Sequence, residues 1–162
     1  MTGHADNDIL LSELTDGVLR LTLNDNKRRN ALSTDMLARL SVAFTEAADD
    51  SRVRVVVLAA TGPVFCSGHD LKEMTAARTM ADKGHEAYQQ LFAACASVME
   101  LIVRNPKPVI AEVAGTATAA DHGVFQGYYF FHHIGLDRDA RDAFRDHEHF
   151  EYTAQFCHLY DQ

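Results

Sequence analysis

The chain has 162 residues, 47% of them hydrophobic, enough for one domain with a real core. Its net charge of −8 argues against nucleic acid as a main partner, because phosphate binding needs a basic face. No apolar run reaches the length of a membrane span, so no membrane partner is expected. The opening MTGHADNDILL lacks the regions of a secretion signal and the arginines of a mitochondrial presequence, which makes the cytoplasm the expected location.

In chain order, Ile9–Glu13 and Val18–Leu23 are β-rich segments around Thr15-Asp16-Gly17, predicting an opening hairpin. Residues 24–30 form a polar loop carrying the basic triplet Lys27-Arg28-Arg29, a solvated loop or an anion-holding one. Ser33 or Thr34 then caps a helix with Leu37, Leu40, Phe44 and Ala47 on one face. Asp49-Asp50 opposes the helix dipole and predicts an early stop.

Val53–Ala59 is a nearly continuous apolar run, read as a strand buried on both faces. Helix resumes over Asp70–Thr75, and a longer helix covers His85–Val103, with Tyr88, Leu91, Phe92, Cys95, Val98, Met99 and Ile102 on one stripe. Pro106 and Pro108 end it, and Val109–Val113 is a further short strand. Strands alternating with helices predict an α/β core.

The composition shifts after Ala120. Residues 121–162 hold six of the nine histidines and no lysine, and they include the aromatic run at 127–134 and a helical pattern at 137–160. The expected division is therefore 1–120 and 121–162, with an aromatic, partly helical tail. Cys66, Cys95 and Cys157 are too few and too widely spaced for a disulfide or metal framework and read as reduced thiols. His132, His133, His147 and His149 do not share the face and spacing that a metal needs, so no metal site is expected.

Two segments point to chemistry. In VFCSGHDLK (residues 64–72), Gly68 lets the backbone turn sharply after a strand, and the helix from Asp70 would direct free N–H groups at that turn. In PVIAEVAGTATAA (residues 108–120), small residues after a strand allow close backbone approach. Each alone reads as an ordinary turn or tight packing. Together they look like two backbone donors to an oxygen gaining negative charge.

With LTLND and KRRNALS upstream, these motifs resemble the enoyl-CoA hydratase/isomerase (crotonase) family, in its branch of enoyl-CoA hydratase domain-containing proteins, over residues 8–120. The resemblance implies the N-terminal half of a crotonase-like (ClpP/crotonase) ββα-repeat domain. It further implies acyl-CoA thioester substrates in lyase or isomerase chemistry of fatty acid metabolism. Coenzyme A arrives as part of the substrate, with no separate cofactor. The thioester oxygen would lie between the backbone N–H groups of Ser67 and Ala120. Lys27, Arg28 and Arg29 match the family's CoA-contacting loop, and Gly68, His69 and Asp70 match the segment lining the acyl and pantetheine path. Family members are commonly trimers, which makes a homo-oligomer an expectation.

The pattern departs at Asp121. Hydratases of the family activate water with glutamates beyond the second donor, whereas here Asp121-His122-Gly123-Val124 follow Ala120. Neither glutamate carries over, and impaired catalysis is expected. The alternatives are a non-catalytic CoA-thioester-binding remnant or a frameshift or fusion product. The tail bears a faint resemblance to a segment of HD-type phosphohydrolases, from which no activity transfers. Strands Val53–Ala59 and Val109–Val113 are expected to lack neighbours.

Overall fold

In a computed structural model, the structure describes residues 8–117. Strands β1 (Leu10–Thr15) and β2 (Val18–Leu23) form the expected hairpin. Asp16 and Gly17 both take positive φ, 50° and 82°, the geometry of a tight hairpin turn. A short 3-10 turn, Asn26–Arg28, interrupts the loop that follows. Helix α1 spans Thr34–Asp49, with the Ser33 hydroxyl accepting the Met36 N–H.

Strands β3 (Val55–Ala60) and β4 (Val64–Cys66) follow, then α2 (Leu71–Ala77), α3 (His85–Val103), β5 (Val109–Ala111) and β6 (Thr116–Ala117). The main sheet has the order β1-β2-β3-β5, antiparallel at the hairpin and parallel beyond it. Strand β3 therefore has neighbours on both sides, β2 and β5, which corrects the expectation that it would stand alone. Strand β5 also has a neighbour, β3, and β1 and β5 are the two sheet edges among the described residues.

The register explains the core. Leu14, Leu19, Val56 and Val109 form one rung across the sheet, and Ser12, Leu21, Leu58 and Ala111 the next on the same face. Leu19, Leu21, Val56, Leu58 and Val109 are buried, in one cluster with Met36, Leu37, Leu40, Phe44 and Ala47 of α1 and Leu91, Cys95, Val98, Met99 and Ile102 of α3. The period-two pattern of β2 and β3 puts these residues on the helix-covered face. Along β3 the other face is only half-buried at Val55 and Val57, so burial on both faces is not complete as expected.

Helix α1 does not stop early. Lys107 donates to the carbonyls of Ala47, Ala48 and Asp50, at 2.6 Å and 2.8 Å for the last two. One ammonium thus caps the helix end that Asp49 and Asp50 disfavour. Its cation comes from 57 residues along the chain, measured from Asp50, so no local reading could supply it.

Candidate functional site

One pair of strands, β4 and β6, sets the two segments singled out in the sequence side by side. β4 and β6 run parallel, with Val64 opposite Thr116 and Cys66 opposite Ala117. Small residues matter here for a steric reason: a Cβ on Gly115 would lie 2.6 Å from the Pro63 carbonyl oxygen. That oxygen accepts the Thr116 N–H at 3.1 Å. Ser67 follows β4 directly. Ala120 lies outside the described residues, as do Asp121, His122, the tail histidines and Cys157.

The turn after β4 depends on Gly68, whose φ of 81° disfavours any side chain. Its carbonyl accepts the Leu32 N–H at 2.8 Å, and its own N–H donates to the Cys66 sulfur at 3.4 Å. The Ser67 hydroxyl donates to the Arg28 carbonyl at 3.4 Å. His69 bridges Leu32 in parallel fashion. The turn is thus fastened along the loop at residues 28–32.

That loop is held by a residue sequence reasoning missed. Asn30 is fully buried at φ 52°. Its amide donates to the carbonyls of Thr61 at 3.0 Å and Val64 at 2.7 Å, and its side-chain oxygen accepts the Asp25 N–H at 2.8 Å. Asparagine tolerates the left-handed region better than most residues, and that preference was the available signal.

Two of the N–H groups expected to be free at the start of α2, those of Lys72 and Glu73, are taken. Asp70 Oδ1 accepts the Lys72 and Glu73 N–H groups at 2.8 Å and 3.3 Å. The Asp70–Glu73 spacing is that of a capping box. Glu73, however, turns to α1, accepting both the N–H and the hydroxyl of Thr34 at 2.9 Å. Glu73 is the second residue the sequence did not single out.

Lys27, Arg28 and Arg29 are all exposed. Arg28 is engaged, donating to Asp70 at 2.9 Å and Glu73 at 3.1 Å. The Asp70 hydrogen bond is the main cause of its raised pKa. Lys27 and Arg29 form no ion pair among the described residues.

His69 is buried and meets the Phe92 ring edge-on at 5.4 Å. Burial pushes its pKa below the ordinary value, against a weaker opposing contact with the Leu32 backbone, so the ring is neutral at pH 7. Burial also pushes the Cys66 thiol up to about 11 and Cys95 up to about 12, the reverse of what a nucleophile needs. Among the described residues no group of three or more histidines, cysteines or acids is placed to hold a metal. None of their helices is long and apolar enough to cross a membrane.

Residues 13–125 match the sequence profile of the family described as enoyl-CoA hydratase/isomerase. The chain belongs to that family. Among proteins it resembles, mitochondrial enoyl-CoA hydratase domain-containing protein 3 of Xenopus laevis is 44% identical over 104 residues, 64% of this chain and 34% of that one. The Homo sapiens protein of the same name is 42% identical over 105 residues, covering 65% and 33% respectively. The chain thus spans about a third of the length of these curated relatives.

Solved structures agree. An enoyl-CoA hydratase from Mycobacterium smegmatis superimposes with a TM-score of 0.59 at 49% identity, covering 66% of this chain and 40% of that one. Human enoyl Coenzyme A hydratase domain-containing protein 3 gives 0.61 at 35% identity, covering 68% and 42%. The described part is the N-terminal portion of a crotonase fold.

Proposed function

We propose that the chain binds acyl-CoA thioesters, with the thioester oxygen accepting from the backbone N–H groups of Ser67 and Ala120. The observation that supports this reading is the parallel β4–β6 pair, which sets the strand that ends just before Ser67 beside the strand that ends three residues before Ala120. Two such donors stabilise an enolate-like transition state, and loss of one typically costs about 3 kcal/mol. Gly68 supplies the close backbone approach, and the buried, neutral His69 walls the acyl and pantetheine path with Phe92 behind it. Exposed Lys27 and Arg29 are the cations that meet the CoA phosphates. Coenzyme A enters with the substrate, and no separate cofactor takes part.

Catalysis by this chain is impaired. Hydration needs a proton removed from water and another delivered to carbon, and Asp121-His122-Gly123-Val124 provides no glutamate at the place where the family's first follows. Missing acid–base groups typically lower rates by about 10² to 10⁴. The alternative is a CoA-thioester-binding remnant with no turnover at all.

Purified protein assayed with crotonyl-CoA should bind it and hydrate it at least about a hundredfold below ordinary enzymatic rates. Ordinary turnover, abolished by Ser67→Pro, would contradict the impairment. The compartment proposed is the cytoplasm. The Xenopus laevis and Homo sapiens relatives are named as mitochondrial, and fractionation of the expressing cells separates the two compartments.

A further inference from the structure

We infer that Arg28 is a positioning residue that brackets the Ser67 turn, leaving Lys27 and Arg29 to meet an anionic ligand. The functional half of this inference rests on the oxyanion reading above; the structural half does not. Arg28 reaches the turn from both sides. Its carbonyl accepts the Ser67 hydroxyl at 3.4 Å, and its guanidinium donates to Asp70 at 2.9 Å. Between these two contacts lie only Gly68 and His69.

The guanidinium also ties its own loop to the start of α2. It donates to Glu73 at 3.1 Å and lies 3.9 Å from the Asp25 carboxylate. Glu73 in turn holds Thr34 at the start of α1. The pairing is asymmetric, because the Asp70 side chain is 5% exposed and that of Arg28 47%. A buried carboxylate depends on its partner, and removing that partner leaves the charge uncompensated. An incoming phosphate at Arg28 would face Asp25, Asp70 and Glu73 together, so this cation is a poor anion ligand. Lys27 and Arg29 carry no such acidic escort.

A backbone donor acts only where its N–H is aimed, and small misplacements of reacting groups are costly. The test uses the full chain, with amide hydrogen exchange and with titrations of crotonyl-CoA and free CoA. In Arg28→Met, exchange at residues 67–73 should rise by at least about tenfold relative to exchange in β2 and β3. Crotonyl-CoA should bind about tenfold more weakly, with free CoA changed by less than about twofold. Lys27→Met and Arg29→Met should weaken both ligands equally and flatten the salt dependence.

Should Arg28→Met fail to fold, Asp70→Asn gives the same comparison, keeping an acceptor for the Lys72 and Glu73 N–H groups while losing the ion pair with Arg28. Unchanged exchange at residues 67–73 overturns the inference. So does an equal loss of free CoA and crotonyl-CoA binding in Arg28→Met. Wild-type protein that binds neither ligand sinks the oxyanion reading instead, and the exchange ratio then decides the positioning role alone.

Discussion

At the scale of single residues, the site is organised by buried polar groups more than by the residues a motif search finds. Asn30 satisfies two carbonyls and one N–H from three segments, and all of these lose their partner in Asn30→Ala. A buried group left unsatisfied costs about 1 to 3 kcal/mol, so urea unfolding should show a loss of about 2 to 4 kcal/mol. His69 gives a pH signature. Its folded pKa lies below the unfolded reference of 6.5, so the unfolded chain takes up the proton first as pH falls. Its contribution to stability is complete above about pH 6.5 and is lost below it, with a slope of at most about 1.4 kcal/mol per pH unit. Denaturant midpoints measured between pH 7.5 and 5 should fall in the wild type and fall less in His69→Gln.

At the scale of elements, much was legible because periodicity is local. The stripe Leu91, Cys95, Val98, Met99 and Ile102 marked α3, and the helix spans His85–Val103 as read. Phe92 and Tyr88 were placed on the same stripe, but Phe92 is exposed and Tyr88 half-buried, with its hydroxyl donating to the Met74 carbonyl at 2.7 Å. The turn to α2 drew on local signals too, Gly68 and Asp70. What stayed illegible was long-range. Lys107 at the α1 terminus and Glu73 at the α1 start each act on an element far away in sequence, and neither periodicity nor composition records such pairings. Lys107→Met should therefore destabilise the protein by about 1 kcal/mol and raise amide exchange in the last turn of α1, leaving β1 and β2 protected. Exchange that rises equally everywhere would mean that the lysine does not act as a cap.

At the scale of the whole molecule, the described residues form a coherent N-terminal portion of a crotonase fold. The sheet pairs β3 on both sides and buries one face under α1 and α3, while Ile110 on β5 and Val103 at the end of α3 are exposed. The family was legible because its motifs encode backbone geometry: a glycine at positive φ, small residues where two strands touch, a polar loop closed by a left-handed asparagine. The roles of individual cations were not, since Lys27, Arg28 and Arg29 look equivalent until Asp70 and Glu73 are seen to claim the middle one. The central claim is that a thioester oxygen is polarised by the Ser67 N–H. Difference infrared spectroscopy of crotonyl-CoA labelled with carbon-13 at the thioester carbonyl tests it most directly. The carbonyl stretch should move to lower frequency on binding and return toward its solution value in Ser67→Pro. A bound ligand whose carbonyl stretch stays at the solution frequency in the wild type would contradict it.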